Sequence, residues 1–122
     1  MTKPLAVITG ASSGIGEATA KAFSKAGYPT LLLARRVEIM ESFNLKNSIC
    51  KKVDVRDRDA LVSAVREAEA IYGPTDMMFN NAGVARLADI STQDPNEWDE
   101  MIDVNTKGVM NGIYAVMSDM KA

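Results

Sequence analysis

The segment TGASSGIG, residues 9–16, concentrates three glycines and two serines near the start of the chain. Gly10 allows a sharp turn, Gly14 allows the backbone to approach a phosphate closely, and Gly16 allows a following helix to pack closely. The N–H groups at the start of that helix carry partial positive charge, and the serine hydroxyls add donors. The segment predicts a site for the pyrophosphate of a dinucleotide, although three glycines alone also fit a plain turn. The residues assigned to this site are Gly10, Ser12, Ser13, Gly14, Ile15 and Gly16.

Two arginines follow the second apolar run, at a position that distinguishes one dinucleotide from another. In dinucleotide-binding α/β folds, a carboxylate at the end of the second strand accepts hydrogen bonds from free ribose hydroxyls. That position holds Ala34 here, and Arg35 and Arg36 follow it directly. A guanidinium binds a 2′-phosphate through charge-assisted hydrogen bonds worth about 1.5–3 kcal/mol each. The pair favours NADP over NAD, with two solvated loop arginines as the alternative.

The elements that must position these residues alternate between short apolar runs and helical repeats. Four apolar runs predict strands, at residues 5–9, 30–33, 49–53 and 77–79. Helical periodicity predicts helices at residues 14–26, 61–72 and 95–120, and a short one around residues 39–40. Asp94, with Pro95 next and Glu97 three residues later, predicts the start of the last helix.

The apolar runs are continuous rather than alternating, which is typical of strands buried on both faces of a parallel sheet. With helices between them, they predict the α/β class. We predict a Rossmann-type doubly wound parallel sheet with strand order 3-2-1-4. That order leaves the fourth strand as an apolar edge, so we interpret the chain as the first half of the fold and expect a complete protein about twice as long.

The composition excludes several classes of function. The 122 residues, with 47% hydrophobic and 25% charged side chains, predict one globular domain over residues 1–122. A net charge of −2 provides no basic face for nucleic acid. The apolar run at residues 4–8 is too short for a signal peptide or a membrane span. We therefore expect neither nucleic acid nor a membrane as a partner.

The residue types also limit the chemistry. Cys50 is the single cysteine, so no internal disulfide can form and a reducing compartment, the cytoplasm, is expected. The chain has no histidine, which excludes His-based triads and most zinc sites. The carboxylates around residues 54–59 and 94–103 are better explained by helix N-termini than by a metal site, so no metal is predicted.

Four segments occur in the order and spacing of one known family. The glycine segment has the pattern Thr-Gly-x-x-x-Gly-x-Gly, and Asp54 and Val55 follow the third predicted strand. The sequence Asn-Asn-Ala-Gly at residues 80–83 follows the fourth strand, and Asn105 lies in an Asp-Val-Asn sequence of the last helix. Over its whole length the chain resembles the cofactor-binding half of the short-chain dehydrogenases/reductases.

The resemblance implies an NADP-dependent oxidoreductase that transfers a hydride between the nicotinamide C4 and a small carbonyl or alcohol substrate. It implies that Asp54 and Val55 face the adenine ring. Asn105 would belong to an Asn-Ser-Tyr-Lys tetrad, in which the helix bends at the Asn and holds a water that relays protons to the Lys. The residues implied to line the ribose and nicotinamide side are Asn81, Ala82 and Gly83.

On a helical wheel, Asn105 lies at the centre of an apolar stripe. This predicts a buried amide, which costs roughly 1–3 kcal/mol if it is left unsatisfied, so it either serves a function or bonds to neighbouring backbone. Met110, Tyr114 and Met117 form a second apolar stripe, a helix-packing surface. The resemblance implies a homo-oligomer that forms through this helix. From the residues alone, a contact between this helix and a further part of the protein explains the stripe equally well. The first stripe comprises Trp98, Met101, Ile102, Val109, Ile113, Val116 and Met120.

The family's Ser and Tyr-x-x-x-Lys do not occur in the 122 residues. Tyr28, Tyr72 and Tyr114 are followed four residues later by Leu, Asp and Ser. We therefore expect this chain alone to be inactive in hydride transfer. The main alternative function is a non-catalytic sensor that binds NADP. A methyltransferase on a related fold is disfavoured because Ala34 stands where such enzymes need an acidic residue.

Overall fold

Four five-residue strands form a parallel sheet in the computed structural model, which describes residues 3–85 and 88–121. Within that part of the chain the strand order is β3-β2-β1-β4. The strands are β1 (Leu5–Thr9), β2 (Thr30–Ala34), β3 (Ser48–Lys52) and β4 (Thr75–Phe79). The predicted α/β class, the parallel sheet and the order 3-2-1-4 are confirmed.

Helices connect the strands and cover the sheet. They are α1 (Gly14–Lys25), α2 (Val37–Glu41), α3 (Arg58–Tyr72), α4 (Pro95–Ile102) and α5 (Gly108–Lys121), with a π-helical turn at Asp103–Lys107 between the last two. Crossovers through helices are required because parallel strands cannot be joined by a tight turn.

The core lies on both faces of the sheet, as its continuous apolar strands predict. Successive residues of a strand point to opposite faces. Leu31 and Leu33 of β2 therefore join Leu61 of α3 and Ala115 of α5 in one cluster, whereas Leu32 joins a second cluster. The second cluster also contains Ala20 of α1 and Met40 of α2. The two layers of helices hold the carboxyl ends of the strands at one edge of the sheet.

Two helix starts follow from their capping residues. The Asp94 carboxylate accepts a hydrogen bond of 2.9 Å from the Asn96 N–H, and Pro95 occupies the first helical position, as predicted. α3 begins at Arg58 because Asp57 caps it by accepting from the Ala60 N–H, which agrees with the assignment of the carboxylates around residues 54–59 to a helix N-terminus. Among the described residues, no helix combines the length and hydropathy needed to cross a membrane.

The helix predicted over residues 95–120 is divided in two around Asn105, the residue at which the resemblance implies a bend. The π-helical turn interrupts it, and there the Gly108 N–H donates to the Asp103 carbonyl, five residues earlier. π-turns of this kind are frequent at functional sites.

The predicted orientation of this helix is wrong. Asn105 is exposed, and most of the predicted apolar stripe, including Trp98, Ile102 and Ile113, remains exposed as well. The buried face is shifted by about one residue along the helix. It consists mainly of small or polar residues, namely Val104, Gly108, Asn111, Gly112, Ala115 and Val116.

Candidate functional site

A cleft of about 340 Å³ opens at the carboxyl ends of the four strands. Ligands of open parallel α/β sheets bind at this edge. Most of the residues predicted from the sequence meet in it; Gly14, Ile15, Gly16 and Asn105 do not line it. The lining consists of Gly10, Ser12, Ser13, Leu33, Ala34, Arg35, Arg36, Ile39, Val53, Asp54, Val55, Asn81, Ala82, Gly83, Val84 and Val104.

The glycine loop has the backbone conformation that its composition predicts. Gly10 and Gly14 have φ of +64° and +57°, in the left-handed region that side chains rarely adopt. A Cβ on Gly16 would collide with the Gly10 carbonyl oxygen and lie 2.6 Å from the Asn81 Nδ2. A Cβ on Gly14 would meet nothing within 4 Å. Gly16 therefore serves internal packing, whereas Gly14 borders free space.

The first turn of α1 provides unused hydrogen-bond donors beside that space. Ser13 caps the helix without a side-chain hydrogen bond to it, and the first helical bond runs from the Glu17 N–H to the Ser13 carbonyl. The N–H groups that precede Glu17 have no partner within the helix. Ile15 in this turn is 77% exposed. This helix start can bind an anionic group.

Thr9, the last residue of β1, joins the glycine loop to the end of β4. Its buried hydroxyl accepts hydrogen bonds of 3.0 Å from the N–H groups of Asn81 and Ala82, and it donates to the Phe79 carbonyl at 3.3 Å. The Asn81 side chain adds a bond of 3.3 Å to the Gly10 carbonyl. These contacts fix the two loops that form the floor of the cleft.

We expect Thr9→Val to lower the free energy of unfolding by about 1–3 kcal/mol. Valine has the same shape but no oxygen, so the half-buried Ala82 N–H loses its acceptor. Urea unfolding measures the loss, and Thr9→Ser, which keeps the hydroxyl, is the control. A valine variant as stable as the serine variant would show that this hydroxyl does not hold the loops together.

The end of β2 places two cations at the rim of the cleft. Ala34 is buried, and Arg35 and Arg36 after it are exposed and line the cleft. No carboxylate stands at the end of this strand. The rim therefore suits an anionic group better than free ribose hydroxyls.

Asp54 is held in place by Arg56, a residue that the sequence did not single out. The Arg56 Nε lies 3.0 Å from Oδ1, its Nη2 lies 2.6 Å from Oδ2, and its backbone N–H donates to Oδ1 at 3.0 Å. The hydrogen bond from the guanidinium holds the pKa of Asp54 below its ordinary value, against a smaller opposing effect of burial. Because the pKa of Asp54 is lower in the folded chain, its ionised carboxylate stabilises the fold at any pH above the ordinary pKa of an aspartate. This stabilisation is lost as the pH falls through the pKa of the folded state. Asp54 is thus ionised at neutral pH.

Asn105 contacts the segment after Asn-Asn-Ala-Gly. Its Oδ1 accepts from the Val84 N–H and its Nδ2 donates to the Val84 carbonyl, both at 2.8 Å. The amide is thus paired with backbone, which is one of the two outcomes expected from the sequence. It lies beside Gly83, whose Cβ, if present, would be 3.2 Å from Oδ1. Asn105 supports the wall of the cleft from outside its lining.

Asn111 is a second residue that sequence reasoning missed. It is 5% exposed on α5 and bonds to the Val55 carbonyl and to Arg58. A polar residue next to Gly112, in the otherwise apolar stretch of residues 108–117, was the available signal. Among the described residues, no group of three or more Cys, Asp or Glu side chains could hold a metal ion.

Comparison with known proteins agrees with this geometry. Residues 4–122 match the sequence model of the short chain dehydrogenases. The chain belongs to the short-chain dehydrogenase family. Uncharacterized oxidoreductase Lmo0432 of Listeria monocytogenes is 43% identical over 117 residues, which cover 91% of this short-chain dehydrogenase chain and 47% of the relative. The chain thus spans about half the length of that curated relative.

Solved structures of similar proteins share the Rossmann fold. An alcohol dehydrogenase of Thermococcus sibiricus, complexed with 5-hydroxy-NADP, is 30% identical with a TM-score of 0.89, over 97% of this chain and 53% of its own. A metagenomic short-chain oxidoreductase in complex with NADP is 31% identical with a TM-score of 0.87, over 96% of this chain and 56% of its own. This short-chain dehydrogenase chain therefore corresponds to about half of each.

Proposed function

We propose that this chain binds NADP and that the complete protein is an oxidoreductase that interconverts a carbonyl and an alcohol. The observation that carries the proposal is that one cleft brings together a glycine loop and an arginine pair where a ribose-binding carboxylate would stand. Two related proteins of known structure hold NADP or 5-hydroxy-NADP. When bound, the nicotinamide ring supplies or accepts the hydride.

The glycine loop is proposed to hold the pyrophosphate. Gly14 borders open space, so a phosphate can approach the backbone there without meeting a side chain. The donors at the start of α1 and the hydroxyls of Ser12 and Ser13 are available to neutralise its charge. Arg35 and Arg36 are proposed to bind the 2′-phosphate through their planar guanidinium groups.

The remaining lining residues are assigned to the two ends of the cofactor. Asp54 and Val55 are proposed to face the adenine. The Asp54 carboxylate, ionised and oriented by Arg56, can accept a hydrogen bond from the adenine amino group. Asn81, Ala82 and Gly83 are proposed to face the ribose and nicotinamide. The Thr9 hydroxyl accepts from the N–H groups of Asn81 and Ala82 and so holds this segment in place.

Asn105 is proposed to organise a proton relay in the complete protein. Its amide bonds to the Val84 backbone through one N–H and one lone pair, which leaves a second N–H and a second lone pair for a relay water. The family's Ser and Tyr-x-x-x-Lys do not occur in these 122 residues. The relay and the substrate site are therefore proposals for the complete protein, and we expect no turnover by this chain alone.

A homo-oligomer is proposed to form through the last helices. Six large apolar side chains, each 42% to 65% exposed, form what we name the apolar helix face. Exposed apolar surface of this kind is typical of a contact between proteins. The members of the apolar helix face are Ile102, Met110, Ile113, Tyr114, Met117 and Met120.

Calorimetric titration of the chain with NADP and with NAD tests the proposed function. We expect NADP to bind at least about tenfold more tightly, because one charge-assisted hydrogen bond to the 2′-phosphate supplies that much. Binding rather than turnover is measured because the chain lacks the Tyr and Lys of the family. Equal affinities would contradict the NADP assignment, and no binding of either would contradict the cofactor site itself.

A further inference from the structure

The segment between β3 and α3 contains the proposed adenine contacts, yet few bonds to the sheet hold it. Val53 donates its N–H to the Ala34 carbonyl, and the Asp57 N–H donates to the Asp54 carbonyl at 2.9 Å within the turn itself. From Asp54 to Asp57 the backbone belongs to no strand or helix. A loop with so few partners needs another support to keep a defined shape.

α5 provides that support through one buried amide. Asn111 donates from Nδ2 to the Val55 carbonyl at 2.8 Å, and its Oδ1 accepts from the Arg58 Nε at 3.0 Å. Asn111 is buried, with only 5% of its surface exposed. Buried amides that bond on both sides fix the groups they join, because breaking either bond leaves a polar atom without water.

Two further residues of α5 hold the same segment. Gly108, three residues before Asn111, lies so close to Val55 that a Cβ there would be 3.1 Å from the Val55 Cβ. Tyr114, three residues after, has its ring centroid 5.8 Å from the Arg58 guanidinium carbon, a cation–π contact. Helix α5 thus contacts the Val55 carbonyl, the Val55 side chain and Arg58 from one side, while Val55 lines the cleft on the other.

We propose that Asn111 is a positioning residue for the cofactor, which sets the backbone at Val55 so that Asp54 and Val55 recognise adenine. This inference rests on the proposed function, because it assigns a role toward the dinucleotide. Asn111 lies outside the cleft lining, so it acts through Val55 and not by touching the ligand. It also connects α5, which carries most of the apolar helix face, to the cofactor site through Val55.

Asn111→Asp isolates the bond to Val55. The aspartate keeps an acceptor for Arg58 but loses the donor, and its charge repels the Val55 carbonyl. Asn96→Asp is the matched control, since it makes the same change at an exposed position of α4 outside the cleft. If Asn111→Asp fails to fold, Arg58→Met replaces it. That variant changes an exposed residue and removes the hydrogen bond from Arg58 to the Asn111 amide.

The first measurement needs no ligand. Amide hydrogen exchange of residues 53–58 should be roughly tenfold faster in Asn111→Asp than in the parent chain, while exchange in β1 and β2 is unchanged. Asn96→Asp should exchange like the parent chain. Unchanged exchange at residues 53–58 overturns the inference, whatever the chain binds.

The second measurement asks whether the segment recognises adenine. Deamino-NADP carries a carbonyl in place of the adenine amino group, which a carboxylate repels. We expect the parent chain to prefer NADP over deamino-NADP by roughly tenfold, and Asn111→Asp to lose most of this preference. A general loss of stability would weaken both ligands equally and leave their ratio unchanged.

The outcomes separate the inference from the proposed function. Faster exchange with a lost preference supports the inference. Faster exchange with an unchanged preference overturns the role toward the cofactor, although NADP still binds. A parent chain that binds neither dinucleotide overturns the proposed function and this role together, which the first titrations of the parent chain reveal before any variant is made.

Discussion

We expect Arg35→Ala to bind NADP roughly 10- to 100-fold more weakly than the parent chain, with little change in affinity for NAD. Arg35 lies at the rim of the cleft directly after the buried Ala34, and the Asp54 carboxylate in the same cleft is already bonded to Arg56. A guanidinium placed there can form one or two charge-assisted hydrogen bonds with the 2′-phosphate of NADP. NAD has a neutral hydroxyl at the same position and offers no charge-assisted bond. The loss should therefore fall on one cofactor only.

Titration calorimetry with NADP, NAD and adenosine 2′,5′-bisphosphate measures this effect, and the bisphosphate isolates the adenosine end. Lys25→Ala is the control, because it removes one exposed positive charge at the far end of α1 without touching the cleft. An effect of net charge alone would weaken the affinity for NADP in both variants, and added salt would reduce this effect. Equal losses for NADP and NAD would contradict the role of Arg35.

Much of the fold could be predicted because its signals are local. Continuous apolar runs identify strands buried on both faces, and the glycine segment lies where β1 turns into α1. The boundaries were less predictable because pairing sets them. β3 runs from Ser48 to Lys52, one residue earlier at each end than the predicted 49–53, since these residues pair with Thr30 to Ala34 of β2.

The orientation of the last helix could not be predicted, because hydropathy gives most weight to large side chains. This helix packs closely on the sheet, and close packing requires small residues. A Cβ on Gly112 would collide with the Asn80 Oδ1 and lie 2.8 Å from the Met78 Cε. The large residues of the apolar helix face are left outside, where contacts within the described chain do not cover them.

The choice between Asn105 and Asn111 illustrates the same limit. Both lie in the same helical region, and the sequence favoured Asn105 because large apolar residues surround it on the wheel. The buried amide is Asn111, since its partners at Val55 and Arg58 lie 56 and 53 residues earlier in the chain. A helical wheel describes one helix, whereas the burial of an amide depends on what packs against it. The cleft residues were more predictable because they occupy strand ends, which meet at one edge in any parallel sheet.

The second large effect is expected for Gly16→Ala. Two terms oppose each other, because alanine favours a helix over glycine by about 1 kcal/mol, whereas its Cβ would collide with the Gly10 carbonyl oxygen. The obstacle is backbone and cannot rotate away, so the collision should cost about 1–3 kcal/mol or more and exceed the helical gain. Because the Asn81 Nδ2 would lie 2.6 Å from the same Cβ, the bond from Asn81 to Gly10 should break as well.

Gly14→Ala is the matched comparison, because a Cβ there meets nothing within 4 Å and the only internal cost is the positive φ, about 1–2 kcal/mol. We expect Gly16→Ala to lower Tm by roughly 10 °C, and Gly14→Ala to lower it less while weakening NADP more than its loss of stability explains. Thermal unfolding and NADP titration on both variants measure this. A Gly16→Ala chain as stable as the parent would contradict the close contact with Gly10. If instead Gly16→Ala loses more stability and Gly14→Ala loses more affinity for NADP, the two glycines serve different purposes. Gly16 then allows the loop to pack against itself, and Gly14 leaves room for a phosphate.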